Sequence, residues 1–219
     1  MSAQPGQPPL LDPHAVLHRS SERLAAHYAG IVNEETVERV VYESYTALAR
    51  TAKVTTHLPS LAYRFAHERL TALGQSKGLI TKDVPEVLFV CVQNSGRSQM
   101  AAALLRQVGG DRVHVRSAGS EPSSGILPTV IEVMREQGID LSEEFPKPLT
   151  DDVVRAADAV ITMGCGDACP IYPGKRYLDW TLEDPADLDL DGVRQVRDEI
   201  RSHIDQLLTE IIPGEGTNT

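Results

Sequence analysis

The chain has 219 residues, 41% hydrophobic and 24% charged, with a net charge of −10, which suits a globular core and leaves no extended low-complexity region. The charge is uneven: residues 1–80 hold 8 Lys and Arg against 7 Asp and Glu, and residues 81–219 hold 13 against 24. So acidic a second part repels nucleic acid and anionic membrane at long range, and three cysteines, an odd count, argue against a static disulfide framework.

The opening MSAQPGQPPLLDP shows neither a basic leader nor an apolar signal region, and nowhere do 18 apolar residues run together, so a soluble cytoplasmic protein is expected. Three helical patterns follow. The first, around Leu17, Leu24, Tyr28 and Ile31, is the weakest. The second sets Val37, Val40, Val41, Ser44, Tyr45 and Leu48 at helical spacing behind Asn33, an N-cap type, with Glu34 and Glu35 at the positive helix end. The third carries Leu58, Leu61, Ala62, Phe65, Ala66, Leu70 and Leu73, with Pro59 in its first turn and Gly74 near its end. A unit this small is expected to supplement its core by docking or dimerisation. His14 and His18 stand one turn apart in the first helix. With no clear third ligand they read as surface histidines, and no metal site is expected.

From Val87 onward strands and helices alternate. VLFVCV, VHVRSAG, DAVITM and KRYLDW read as strands, and SQMAAALLRQV, PTVIEVMREQG, TDDVVRAA and the stretch from Leu190 to Ile212 as helices. This predicts an α/β fold: an open, doubly wound, parallel four-stranded sheet, preceded by a small three-helix domain. The boundary is drawn at residues 1–80 and 81–219, with residues 1–10 and 213–219 expected to be disordered.

Ligands of such sheets sit at the carboxyl ends of strands, and Cys91 lies at one. Val92, Gln93, Asn94, Ser95, Gly96, Arg97 and Ser98 then lead into a helix. A short loop feeding a helix N-terminus can turn successive N–H groups onto one tetrahedral oxyanion. Gly96 permits the turn, and Arg97 adds a two-pronged guanidinium. The same field favours a thiolate at Cys91, and Ser98 is placed to hydrogen-bond it. The bland alternative is a packed strand-end cysteine; strand, small polar loop, Ser and helix together favour the nucleophile.

Attack on an oxyanion needs a proton donor for the departing oxygen. Asp184 precedes Pro185 in LEDPAD, which restricts its backbone to an extended shape; a plain turn is the competing reading. In MGCGDACP, Cys165 and Cys169 close another strand. Extended, their Cα atoms lie beyond disulfide range; coiled into one turn they come within it. A redox relay, two structural thiols and half of a zinc site all remain open.

Cys91, Asn94, Arg97 and Ser98, with RSQMAAALL, RSAGSEP, VIEVMREQGIDLS and ITMGCGDACP, resemble the low-molecular-weight tyrosine phosphatases and, more closely, the arsenate reductases that share their fold. After Pro185 stand Ala186 and Asp187, where a tyrosine phosphatase of this family carries aromatics. The resemblance implies that Cys91 attacks arsenate, Asp184 donates a proton, Cys165 attacks Cys91, and Cys169 closes the final disulfide. It implies no tightly bound cofactor, and an external thiol reductant: thioredoxin, or mycothiol with mycoredoxin. The front helices are similar to an extension on some actinobacterial reductases, which implies a homodimer. A phosphatase acting on a phosphoester through the same loop, and an oxyanion-sensing binding protein, are the competing functions.

Overall fold

The computed structural model describes residues 12–165 and 169–211. The tails expected to be disordered, and the middle of the CGDAC segment, lie outside the described residues.

Helix α1 (Pro13–His27) starts at Asp12, whose side chain accepts from the His14 N–H, and Pro13 occupies the position where a missing N–H costs nothing. The sequence pattern runs on to Ile31, but the helix stops at His27. Gly30 adopts φ +80° and turns the chain, while Tyr28 stays buried by packing, its hydroxyl 2.6 Å from Thr71 Oγ1. Helix α2 (Glu34–Ala49) is capped by Asn33, which accepts from Thr36 N–H at 2.9 Å. Helix α3 (Leu58–Ser76) completes the unit, and Leu17, Leu24, Val37, Val41, Phe65 and Leu70 meet in its core.

Four parallel strands follow in the order β2-β1-β3-β4: β1 (Glu86–Cys91), β2 (His114–Gly119), β3 (Ala159–Met163) and β4 (Arg176–Asp179). Every residue of β1 is buried, as the apolar run from Val87 to Cys91 demands of a central strand covered on both sides. Val87, Phe89 and Cys91 face a core built with α4 (Arg97–Gly109), α5 (Pro128–Arg135) and α7 (Leu190–Ile211). Leu88 and Val90 face the other way, toward α6 (Asp151–Ala156) and Ala72 of α3. The third helix of the front unit therefore helps to cover the sheet. Arg69 of α3 seals this contact with a 2.9 Å ion pair to Asp152 of α6.

From β1 the chain first crosses outward to β2, then returns past β1 to β3. That reversal opens a crevice at the carboxyl ends of β1 and β3. Cys91 pairs in register with Met163, two residues before Cys165. Among the described residues no helix is long and apolar enough to cross a membrane.

Candidate active site

Between Cys91 and α4 the backbone has one consistent polarity. The Cys91 carbonyl accepts from Ser120 N–H at 3.2 Å, Val92 from Glu121 at 2.8 Å, Gln93 from Ser123 at 3.0 Å and Ser95 from Leu127 at 3.0 Å. The Asn94 carbonyl accepts from Gln99 Nε2 at 3.1 Å, and that of Gly96 from Met100 N–H at 2.9 Å. In a planar trans peptide the N–H points opposite the preceding C=O. Six carbonyls held outward thus turn the N–H groups of residues 92–97 inward, the concavity that binds a tetrahedral oxyanion. Asn94 N–H already reaches Cys91 Sγ at 3.2 Å.

Two glycines make this turn feasible. A Cβ on Gly119 would lie 2.6 Å from the Val92 carbonyl, and one on Gly96 would lie 2.5 Å from Pro185 Cγ; both are closer than real contacts allow. Asn94 has φ +48°, the left-handed region, and is the one such non-glycine among the described residues.

The side chains around the sulfur are ordered by donor and acceptor chemistry. Asn94 Oδ1 accepts from Lys147 N–H at 2.8 Å, so its Nδ2 is the donor to Ser98 Oγ at 2.7 Å. Ser98 Oγ in turn lies 2.9 Å from Cys91 Sγ, within hydrogen-bond reach of the sulfur. Cys91 is buried, 2% exposed. Ser98 Oγ and the Asn94 N–H thus both stand within hydrogen-bond distance of the sulfur.

Arg97 opens α4 and reaches back over the loop. Its Nη2 donates to Asp184 Oδ2 at 2.6 Å, and its Nη1 to the Leu182 carbonyl at 3.4 Å. Gly164 lies against the same guanidinium, since a Cβ there would meet Nη1 at 3.0 Å. Asp184 has extended backbone, φ −80° and ψ 119°, as a residue before proline should, and its other oxygen caps the short turn at Ala186. Arg97 and Asp184 are thus brought to the mouth of the loop. Gln93 and Ser95 pair with each other at 3.3 Å.

Cys165 follows Gly164 at the end of β3, and Cys169 shares its apolar cluster with Leu88, Val90 and Val160. Both are buried free thiols. Burial pushes the Cys165 thiol above its ordinary range, helped by Cys91 and Asp179 nearby. Burial and the neighbouring Cys165 push Cys169 up to about 11. His14 and His18 are exposed on α1, where His18 faces Glu22 at 3.5 Å.

Two family models match the chain. Residues 17–74 match the protein-tyrosine-phosphatase-like N-terminal domain, and residues 86–214 match the low molecular weight phosphotyrosine protein phosphatase. The chain belongs to the low-molecular-weight phosphotyrosine protein phosphatase family. Its place there is among the arsenate reductases. The thioredoxin-dependent arsenate reductase of Corynebacterium glutamicum superposes with a TM-score of 0.81 at 51% identity, over 90% of this chain and 96% of that one. Arsenate reductase 1 of Staphylococcus epidermidis is 38% identical over 54% of this chain and 92% of its own. The arginine phosphatase of Geobacillus stearothermophilus is more distant, 27% identical with a TM-score of 0.51, over 57% of this chain and 92% of its own.

In this family member several residues around the loop carry no local signal in the sequence. Gln99, buried in α4, donates to the Asn94 and Phe145 carbonyls at 3.1 and 3.2 Å. Lys147 orients Asn94, and residues 120–127 hold the carbonyls. Both segments are irregular chain, and only the fold brings them to the loop. The RSAGSEP phrase is the available hint, since its Gly119, Ser120 and Glu121 are the residues found against Cys91 and Val92.

Proposed function

We propose that this chain reduces arsenate to arsenite, with Cys91 as nucleophile, Asp184 as proton donor, and Cys165 and Cys169 as an internal thiol relay. The observation that carries the reading is the Cys91 loop, with inward N–H groups and two further thiols at the end of the adjacent strand. Residues 92–98 would seat the arsenate oxygens, Arg97 sharing its fork between the anion and Asp184. Cys91 Sγ attacks arsenic; an As–O bond breaks, and Asp184 protonates the departing oxygen, which leaves as water. Cys165 then attacks Cys91 Sγ. The S–As bond breaks with its electron pair going to arsenic, so As(V) becomes As(III) while two thiols become a disulfide. Cys169 attacks Cys165, moving the disulfide to Cys165–Cys169 and returning Cys91 as a thiolate.

An external dithiol must then reduce that bridge, and thioredoxin is the reductant favoured by the thioredoxin-dependent corynebacterial relative; mycothiol with mycoredoxin is the competing route. No tightly bound cofactor enters. We assign the helices of residues 1–80 as a separate domain that joins two copies of the chain, and place the protein in the cytoplasm, where thiols stay reduced.

The loop and acid would equally serve a phosphatase, the reading favoured by the likeness to an arginine phosphatase. Hydrolysis has no use for Cys165 and Cys169. Replacing Cys165 with Ser should therefore stop arsenite release with thioredoxin and spare phosphoester hydrolysis. Mass spectrometry after one arsenate turnover without reductant should find a Cys165–Cys169 bridge. Continued turnover by the Cys165→Ser variant would refute the internal relay.

A further inference from the structure

The front helices are tied to the anion loop through one short segment, residues 145–149. The side chains of Phe145 and Lys147 point into the helical unit. The Phe145 ring lies in the helical core, with the Arg64 guanidinium 5.2 Å from its centroid and Lys147 Nζ at 5.4 Å. Lys147, 3% exposed, places its ammonium on Glu68 of α3, at 3.0 and 3.2 Å from the two carboxylate oxygens. The backbone of the same residues faces the loop. Phe145 O accepts from Gln99, Lys147 N–H donates to Asn94 Oδ1 at 2.8 Å, and Lys147 O accepts from Gly119 N–H at 2.8 Å.

Asn94 is the point where this matters. It holds a left-handed backbone and its Nδ2 holds Ser98 Oγ, which lies 2.9 Å from Cys91 Sγ. Its Oδ1 must be engaged by a donor for the amide to keep that orientation. We propose that Glu68 and Lys147 are positioning residues for the anion loop: the α3 carboxylate holds Lys147 in place, and Lys147 holds Asn94 and, through it, Ser98 against the nucleophile. This rests on the loop being the oxyanion site proposed above, and makes the front helices part of that site's support.

Without Glu68, a buried ammonium loses its counter-charge and moves toward water, carrying its backbone with it. Arg116 Nη1, which donates to the Glu68 carbonyl at 2.9 Å, is untouched by a change of side chain, so α3 keeps that link to β2. The effect should fall on the loop and not on docking as a whole.

The test uses the full chain with Glu68→Gln, Lys147→Met, Glu68→Asp and, as a control, Asp152→Asn. The control weakens a different ion pair, Arg69–Asp152 between α3 and α6, whose two partners make no hydrogen bond to the loop. Inorganic phosphate serves as probe: the concentration that half-protects Cys91 from iodoacetamide is measured beside kcat and KM for arsenate and the thermal midpoint. Glu68→Gln and Lys147→Met should each raise that concentration about tenfold and lower kcat/KM by a similar factor, as small misplacements of a loop do. Glu68→Asp should recover part of both, and Asp152→Asn should lower the midpoint with protection as in the parent. Parent-like protection in both Glu68→Gln and Lys147→Met overturns the proposal; so does an equal loss in Asp152→Asn at equal stability. If Glu68→Gln does not fold, Lys147→Met decides, because it leaves no buried cation behind. A parent chain that shows phosphate protection but releases no arsenite would sink the reductase reading and leave this inference standing.

Discussion

Arg97 and Asp184 share a contact that has two opposed effects. The 2.6 Å pair holds the acid at the mouth of the loop, yet it also occupies part of the guanidinium fork that a bound anion needs. Replacing Asp184 with Asn removes the competing charge and the transferable proton together. Phosphate should then protect Cys91 at the same or lower concentration than in the parent, while kcat for arsenate falls by about a hundredfold or more, the range of a lost general acid. Tighter anion binding with slower turnover separates the two roles; unchanged turnover would remove Asp184 from the chemistry. The structural reason that Asp184 can stand there is its proline. Pro185 packs against Gly96, where a Cβ would come within 2.5 Å, so the acid turn and the nucleophile loop are fitted to one another through that glycine.

At the level of elements, β1 shows how side chains that alternate between two buried faces give the sheet two unequal cores. Leu88 and Val90 are the residues of β1 that face Ala72 of α3 and the short α6. Leu88 is fully buried there. Leu88→Ala should cost about 2–5 kcal/mol in urea unfolding, the usual loss plus residual cavity for a core leucine. A loss under 1 kcal/mol would mean that α3 is only loosely seated. The apolar periodicity of β1 and of α2 is readable from sequence because each burial depends on neighbours within the same element. The direction of the loop follows similarly: strand, small polar residues, Arg97, Ser98 and helix are contiguous. Lys147 and Phe145 lie outside that reach. A lysine in KPL has no local reason to be buried, and its meaning comes from Glu68, 79 residues away in sequence. The helix end at His27 in place of Ile31 is partly of this kind: Gly30 turns the chain locally, while Tyr28 keeps its burial through Thr71 and His67 of a different helix.

Across the whole molecule, buried ionisable groups set opposite limits on stability. Burial pushes Glu68 and Glu86 up, but their Lys, Arg and His partners more than offset it and hold each below its ordinary 4.5. Burial pushes His67 below 6.5, with His27 nearby adding to it. In both cases the unfolded chain binds protons more readily than the native one, so stability is present above the unfolded value and is lost as pH falls. His67 begins that loss near 6.5 and the carboxylates steepen it below 4.5. On the alkaline side burial raises Cys165 and Cys169 from 9.0, Cys169 to about 11, and raises Tyr28 from 10.0. Their stability is present below the unfolded values and is lost as pH rises through the folded ones, an effect blunted by Lys175, which burial pushes the other way. The thermal midpoint should therefore be highest at about pH 7 to 8.5 and fall on both sides. Glu68→Gln should lower it more at about pH 7 than in acid strong enough to protonate the parent carboxylate, whose range lies below its ordinary one. An equal effect under both conditions would mean that the Glu68–Lys147 pair adds nothing through its charge, and that the α3 contact with the loop is held by Phe145 and its apolar neighbours alone.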